Sequence, residues 1–359
     1  MQTKKKVIGN GVLLVTVFAL TLYGVFHGED LGAMMDAIRK AKIRYLIPGV
    51  ILVVCFIWGE SIIIWYMMRS FKIYLKKRIC FLFSSVGFFF SCITPSATGG
   101  QPMQIYYMKK ENIPIPVSTV ILMVVTITYK LVLVVIGLGI LIFGRGFLHQ
   151  YLEGILPVYY LGLALNVFCV SFMTILVFHP LLAEGILLKG MDWLERLRLM
   201  KKKEARREKL QNAMQVYRET ASYLKNHYKV IVNVILITFV QRILLFSVTW
   251  MVYLAFGMSG TSPLDVILLQ AVISVSVDML PLPGGMGISE TLFLKIFCMV
   301  FGELTLPALV LSRGLGYYSQ LIISALFTVV AQLYYTLRPA KQADSLNEEG
   351  GREEGGIPS

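Results

Sequence analysis

The feature that most constrains this chain is a series of apolar runs, several of them long enough to cross a lipid bilayer. A membrane-spanning helix needs about 20 apolar residues. With 56% hydrophobic and 15% charged residues, a water-soluble fold would leave much apolar surface exposed to water. We therefore predict an all-α polytopic membrane protein. Its apolar segments are 7–26, 45–68, 79–94, 117–143, 158–178, 230–257, 264–280 and 305–335.

Basic residues are concentrated in the connections between these segments. They give a formal net charge of +13, and in a membrane protein such loops are held on the cytoplasmic side, so we expect no nucleic-acid binding. The five cysteines lie within or beside apolar segments without metal-ligand spacing. We predict no metal and no cofactor. The sequence also lacks the HExxH, GxSxG and GxxxxGK[ST] signatures of common catalytic sites.

Loop charge predicts the topology. Segments 69–78 and 181–229 are rich in Lys and Arg and are expected in the cytoplasm, whereas 144–157 and 258–263 carry little positive charge and are expected outside. Two apolar segments separate 69–78 from 144–157, although an odd number of crossings is required there. The same conflict arises between 258–263 and the tail at 338–359, which we place inside. One segment in each half must therefore enter the membrane and return to the same side.

Helix-breaking residues follow the two segments that do not cross. Proline removes a backbone donor and glycine permits turns that other residues resist. Each of these two Pro- and Gly-rich stretches therefore favours the apex of a re-entrant helical hairpin. A pair of ordinary surface turns is the alternative. We expect about six full spans and two such hairpins. The turn residues are Pro95, Gly99, Gly100, Gln101 and Pro102 in the first hairpin, and Pro281, Pro283, Gly284, Gly285 and Gly287 in the second.

The two predicted hairpins lie in similar halves of the chain, 45–143 and 230–335. The first would enter the membrane from the cytoplasm and the second from outside, so the halves would form an inverted repeat. Inverted repeats with broken helices are common in transporters, which hold their substrate between the repeats. We predict an integral membrane domain over 1–337 and a flexible acidic tail at 338–359.

Ionisable residues expected inside the membrane are the candidate functional residues, because a charge in a bilayer costs several kcal/mol unless it is paired or hydrated. The basic side chains offer positive charge for a lipid phosphate, and the helix N-termini after the hairpin turns offer backbone donors. The acidic side chains would line a cavity, where they balance these cations or meet a cationic headgroup. Structural ion pairing between helices is the alternative. The basic residues are Lys130, Arg242 and Arg313, and the acidic residues are Glu60, Asp278 and Glu290.

The segment 181–229 is the largest region outside the apolar runs. Its apolar residues recur at helical spacing, which predicts an amphipathic helical segment in the cytoplasm. Such a helix lies on the anionic inner leaflet or docks a partner, and the pattern does not choose between these roles. The residues of the predicted apolar face are Leu210, Met214, Tyr217, Ala221 and Leu224.

The Pro and Gly motifs also carry a family resemblance. The run from Pro281 to Glu290, the segment from Pro95 to Pro102 and Arg313 in a late helix resemble the lysylphosphatidylglycerol synthase transmembrane-region family, over about residues 7–337. That family includes the membrane half of the bacterial multiple peptide resistance factor. The resemblance implies a lipid-handling protein of the bacterial plasma membrane, and we place both termini in the cytoplasm.

The function implied by the resemblance is translocation of phosphatidylglycerol or of its lysyl derivative. The alternatives are a lipid-modifying enzyme of the phosphatidylglycerol lysyltransferase type and a membrane partner of a separately encoded synthase. In the two-domain members the synthase chemistry belongs to a soluble C-terminal domain, and the residues after 337 leave no room for one. We therefore expect a phospholipid translocase, while the oligomeric state does not follow from the sequence.

The predicted topology is testable with single cysteines in a cysteine-free background. A cysteine that replaces Ser259 is expected to react with an impermeant thiol reagent added outside intact cells, because 258–263 is predicted to be external. A cysteine that replaces Lys202 is expected to react only after the membrane is permeabilised. Labelling of position 202 from outside would contradict the loop assignment and the re-entrant hairpins derived from it.

Overall fold

The computed structural model describes residues 31–94, 97–196, 204–280 and 285–337, and these residues form helices and connections without a strand. The predicted segment 7–26 and the tail at 338–359 lie outside the described residues. The same holds for four of the predicted turn residues, which are Pro95, Pro281, Pro283 and Gly284.

The helices of the first half are separated by short connections. After a short amphipathic helix come a long apolar helix, a pair of shorter helices and a second long apolar helix. They are α1 Leu31–Lys40, α2 Ile43–Ser70, α3 Lys77–Ile93, α4 Gly100–Lys110 and α5 Ile115–Phe143.

Four helices connect the halves. The second is long and apolar, and the last two fall in the basic segment 181–229. They are α6 Arg145–Tyr151, α7 Leu156–Phe178, α8 Pro180–Arg196 and α9 Glu204–Asn226.

The second half again begins with a long apolar helix and a pair of shorter ones. Its last two helices are joined by a π-helical turn at Gly314–Tyr318. The helices are α10 Tyr228–Ala255, α11 Pro263–Val277, α12 Ile288–Phe301, α13 Thr305–Arg313 and α14 Ser319–Leu337.

Five helical segments within the described residues are long and apolar enough to cross a membrane. The chain is therefore an all-α multi-pass membrane protein, as the sequence predicts. Helix α11 has 15 residues and spans about 23 Å, which is shorter than the hydrocarbon core of about 30 Å. The five segments are Ile43–Ser70, Ile115–Phe143, Glu153–Phe178, Tyr228–Ala255 and Ile288–Leu337.

The last apolar segment begins earlier than the predicted 305–335. Helix α12 is also apolar, but the exposed residues Lys295 and Glu303 interrupt its pattern in the sequence. Gly302 ends α12 with a φ of 55°, a conformation that favours glycine. The stretch is therefore three helical pieces rather than one straight span.

Helices α3 and α4 fold back on each other as a hairpin. A Cβ atom on Gly87 would collide with the side chain of Gln104, and one on Gly100 would collide with Ser91. In the turn, the backbone N–H of Gly99 donates to Thr94 Oγ1 at 2.9 Å. Two helices that approach this closely need glycine at the contact, which explains why Gly87 and Gly100 stand at these two positions.

Helices α11 and α12 pack against each other in the same manner. Gly285 and Gly287 have φ values of 66° and 88°, so glycine relieves backbone strain in the turn between these helices. A Cβ atom on Gly285 would lie 3.1 Å from Val277 Cγ2. Gly285 and Gly287 thus also lie where the chain reverses.

The two halves pack against each other through several pairs of helices and do not form separate domains. The first long helices of each half, α2 and α10, lie in contact along their length. Helix α14 packs on α3, and α5 packs on α11. The closing helix of each half therefore contacts the helical hairpin of the other half.

Helix α9 uses the predicted apolar face to pack on the protein. Met214, Tyr217, Ala221 and Leu224 are buried, and the Tyr217 hydroxyl donates to the carbonyl of Leu176 in α7 at 3.2 Å. Helix α9 also contacts α5. Protein therefore covers these four side chains of the predicted apolar face.

Gly162 in α7 supplies a test of the packing. A Cβ atom there would lie 2.5 Å from the carbonyl oxygen of Val275 and 2.6 Å from Ser276 Cα. We expect Gly162→Ala to lower the free energy of unfolding by about 1–3 kcal/mol, because backbone atoms of α11 must shift. The measurement is thermal or denaturant unfolding of the purified protein in detergent.

The matched control is Gly139→Ala in α5, where nothing lies within 4 Å of the added atom. Its stability is expected to be unchanged or slightly raised, since Ala has the higher helix propensity. Equal effects of the two substitutions would contradict the close contact between α7 and α11.

Candidate functional site

A buried ion pair joins the two halves. Lys130 lies in the middle of α5, and Asp278 immediately follows α11. The Lys130 Nζ atom is 2.5 Å from Asp278 Oδ2, and both side chains are only 11% exposed. The hydroxyl of Tyr129 donates to the other carboxylate oxygen, Oδ1. Both oxygens of Asp278 are thus held by consecutive residues of the first half.

Arg242 of α10 lies beside this pair. Its guanidinium carbon is 3.4 Å from the ring centroid of Tyr129 and 5.0 Å from that of Phe56. It is near enough to Asp278 and Glu60 to interact with both charges. Within the described residues, however, its buried Nε atom has no hydrogen-bond partner. Ring faces therefore stabilise much of this cation, while one N–H group is left to bind an added acceptor.

Glu60 of α2 completes the group, which we call the central cluster (Glu60, Gln104, Tyr129, Lys130, Arg242 and Asp278). The side-chain amide of Gln104 in α4 donates to Glu60 Oε1 at 2.7 Å. Gln104 is buried, and Gly87 leaves the space that it occupies. The first hairpin thus reaches the central cluster through an amide and the second hairpin through a carboxylate.

Arg313 forms a second group, the Arg313 cluster (Ser289, Glu290, Arg313 and Tyr317). Arg313 Nη2 is 2.6 Å from Glu290 Oε1 and also donates to Ser289 Oγ. The other oxygen of Glu290 accepts a hydrogen bond of 2.6 Å from the backbone N–H of Gly287. A carboxylate at a helix N-terminus is favourable, so Glu290 already occupies the donors expected after the second turn.

Tyr317 connects the Arg313 cluster to the first hairpin. Its hydroxyl donates to the carbonyl of Cys92, near the end of α3, at 3.0 Å. Tyr317 lies in the π-helical turn that follows Arg313, and such turns are frequent at functional sites. Each half therefore sends a tyrosine hydroxyl to the hairpin of the other half, through Tyr129 and Tyr317.

A cavity of about 190 Å³ adjoins the Arg313 cluster. Thr249 hydrogen bonds to both Gln270 and Ser312 in its wall, each at 2.9 Å. Arg313 contributes charge to the same wall. The cavity therefore combines a cation with hydroxyl and amide groups, which is the chemistry that binds a phosphate ester.

The structure brings four of the predicted charged residues together and sets two apart. Lys130, Arg242, Glu60 and Asp278 belong to the central cluster, whereas Arg313 and Glu290 pair within the second half. Lys130 and Arg313 are already bound to carboxylates, so structural ion pairing accounts for both contacts. The phosphate-binding role of these residues stays a prediction.

Sequence reasoning missed the neutral members of both clusters. Gln104 lies in a short helix with other polar residues and Tyr129 lies in a long apolar helix, and nothing in their spacing marks them as partners of a carboxylate. Adjacency to Lys130 is the one available signal for Tyr129. Tyr317 likewise carries no signal in the sequence, although its hydroxyl donates to the backbone of the other half. In the described ranges, no three His, Cys, Asp or Glu side chains come together to hold a metal ion.

The buried pair can be tested by breaking and reversing it. We expect Asp278→Ala to destabilise the protein by roughly 3–5 kcal/mol, because it leaves Lys130 buried without its partner. The double variant Lys130→Asp with Asp278→Lys is expected to recover much of that loss. The measurement is thermal unfolding in detergent, with Asp36→Ala as control.

Asp36 is a suitable control because its pair with Arg39 is 3.8 Å long and mostly exposed. Exposed pairs contribute only about 0–1 kcal/mol. A destabilisation by Asp278→Ala no larger than that of Asp36→Ala would contradict a stabilising contact between the halves.

Comparison with curated proteins and with solved structures finds no match to this chain. Comparison with family models does find one, described as Lysylphosphatidylglycerol synthase TM region, over residues 8–324. The match covers most of the chain, including both hairpins and both charged clusters. The chain therefore belongs to the lysylphosphatidylglycerol synthase TM region family of integral membrane proteins.

Proposed function

We propose that this protein moves an anionic phospholipid, phosphatidylglycerol or its lysyl derivative, between the leaflets of the bacterial plasma membrane. One observation carries the proposal: charged side chains lie between the two halves, among helices long and apolar enough to span a membrane. Ionisable groups at such depth are costly and typically mark a substrate path. Family membership is in keeping with a lipid substrate.

The proposed passage uses exchange of partners at the cations. A lipid phosphate displaces Asp278 from Lys130 or Glu290 from Arg313, and so replaces one charge-assisted hydrogen bond with another. The Nε–H of Arg242, which has no acceptor among the described residues, supplies a further donor. Because each broken contact is exchanged for a similar one, no cation is left without a partner during the transfer.

The carboxylates released in this exchange suit an aminoacylated headgroup. Lysyl phosphatidylglycerol carries ammonium groups as well as a phosphate, and Asp278 and Glu290 would bind the ammonium groups once their own cations have turned to the phosphate. The six candidate residues comprise three cations and three carboxylates. In this proposal the site presents both signs of charge, as such a headgroup requires.

We infer that the two helical hairpins are re-entrant and inverted relative to each other. Helix α4 has 11 residues and α11 has 15, so both are too short to span a bilayer of about 30 Å. Such hairpins bring irregular backbone to the membrane interior only where protein covers it. The reciprocal contacts of Tyr129 and Tyr317 support this arrangement, in which the lipid passes between the repeats.

The test is leaflet exchange of fluorescent phosphatidylglycerol and of its lysyl derivative in liposomes that contain the purified protein. The wild-type chain is expected to accelerate exchange over empty liposomes. Arg313→Ala is expected to slow it by roughly tenfold or more, because a lost hydrogen bond to a charged group is worth about 1.5–3 kcal/mol and 1.4 kcal/mol is tenfold. Arg313→Lys is expected to retain part of the rate.

Lys295→Ala is the matched control, since Lys295 is an exposed cation on α12 and belongs to neither charged cluster. Its exchange rate is expected to equal that of the wild type. If the folded wild-type chain gave no exchange above empty liposomes, translocation would be excluded under these conditions, and the role of membrane partner to a separate synthase would take its place.

A further inference from the structure

A large apolar groove lies apart from the charged clusters, between the start of α5, the end of α7, and α8 and α9. Its volume is about 800 Å³, within the roughly 300–1,000 Å³ of small-molecule sites. Aliphatic and methionine side chains form most of its wall, including Met123, Leu176, Leu210 and Met214. Such a wall offers dispersion contacts and few hydrogen bonds, so it suits a hydrocarbon chain.

Helix α8 makes this groove continuous with an apolar outer surface. Ile186 and Leu187 line the groove and are also exposed. On the same helix, Leu181 is 71% exposed and Trp193 is 62% exposed. A helix that presents leucine and tryptophan beside membrane spans is typical of the membrane interface. We therefore expect the mouth of the groove to face lipid acyl chains.

Positive charge marks one edge of the groove. Lys109 is the one charged residue among the described residues that line the groove. Asn112 lies beside it, in the turn after α4. The backbone N–H of Asn112 donates to the carbonyl of Lys109 at 3.0 Å, which keeps the two residues together. Further exposed lysines on the surrounding helices are Lys110, Lys189 and Lys209.

The groove lies at the end of the molecule that carries the basic loop at 69–78. The hydroxyl of Tyr223 in α9 donates to the carbonyl of Ser70 at 2.8 Å, so α9 and this loop are neighbours. Basic loops at one end of a membrane protein favour the leaflet that contains anionic lipids. Hydrocarbon chain and anionic headgroup are thus both expected at the mouth of the groove.

We propose that this groove binds one acyl chain of an anionic phospholipid from the adjacent leaflet, with the lipid phosphate beside Lys109 and Asn112. The proposal does not rest on translocation, because the lining residues of the groove include none of the members of the two charged clusters. A bound lipid at this site would remain in place whether or not another lipid passes between the leaflets.

The test uses the full chain in nanodiscs that contain a phospholipid with a photoreactive diazirine near the end of one acyl chain. Two probes are compared, one with a phosphatidylglycerol headgroup and one with phosphatidylcholine. After irradiation, mass spectrometry is expected to find the phosphatidylglycerol probe attached to peptides containing Met123, Leu176 or Met214. Attachment of the phosphatidylcholine probe is expected to be weaker.

Substitutions that fill the groove are expected to remove most of this labelling. Ala213→Trp acts from the α9 side and Ala183→Trp from the α8 side, so one remains informative if the other fails to fold. Leu138→Trp, at a partly exposed position of α5 outside the groove, is the matched control and is expected to leave the labelling unchanged. Thermal unfolding of each variant verifies its fold.

The headgroup contact is tested by Lys109→Glu, with Lys295→Glu as control. The first is expected to reduce labelling by the phosphatidylglycerol probe to the level of phosphatidylcholine, and the second to have no effect. Labelling that survives both groove-filling substitutions would overturn the proposal. So would a cross-link that places the segment 7–26 in the groove of the wild-type chain, since the occupant would then be the protein itself.

Discussion

A charge among apolar helices is stable only when an opposite charge or a dipole compensates it, and the contact between Lys130 and Asp278 meets this requirement by joining two distant parts of the chain. Neither residue would be tolerated alone at this depth. Because α5 supplies the cation and the second hairpin supplies the carboxylate, the halves must associate before either charge is compensated. The pair thus makes assembly of the halves a condition for burying both side chains.

The apolar runs predicted six helices, α2, α3, α5, α7, α10 and α11, to within a few residues. The segment 45–68 became α2 at Ile43–Ser70, and 117–143 became α5 at Ile115–Phe143. Such runs are informative because a helix in a bilayer must be apolar along most of its length. Helix α12 was missed as part of the last apolar segment, because exposed Lys295 within it and exposed Glu303 after it conceal how apolar it is. Of the predicted turn residues that the structure describes, Gly99, Gly285 and Gly287 lie in the turns, whereas Gly100, Gln101 and Pro102 begin helix α4.

The candidate site was predictable as a set of residues but not as a set of contacts. A charge in an apolar run is conspicuous, which made five of the six candidates visible in the sequence, and Glu290 was visible because it follows the second Pro/Gly run. Partner choice depends on which helices meet, and Asp278 lies 148 residues beyond Lys130. Gln104 was invisible for another reason: a neutral amide in a hairpin arm is equally compatible with a loop, a helix contact or a carboxylate partner.

The close approach of α7 to α11 at Gly162 has a mechanical consequence. Asn166 of α7 also donates to the carbonyl of Val275 at 3.2 Å, and Tyr159 donates to the carbonyl of Gly137 in α5 at 2.7 Å. Helices α5, α7 and α11 are therefore linked as one block that contains parts of both halves. A rocking motion of this block against α2 and α10 would leave the ion pair intact. It would shear the stack of Arg242 on Tyr129, where a flat ring face offers little resistance to sliding.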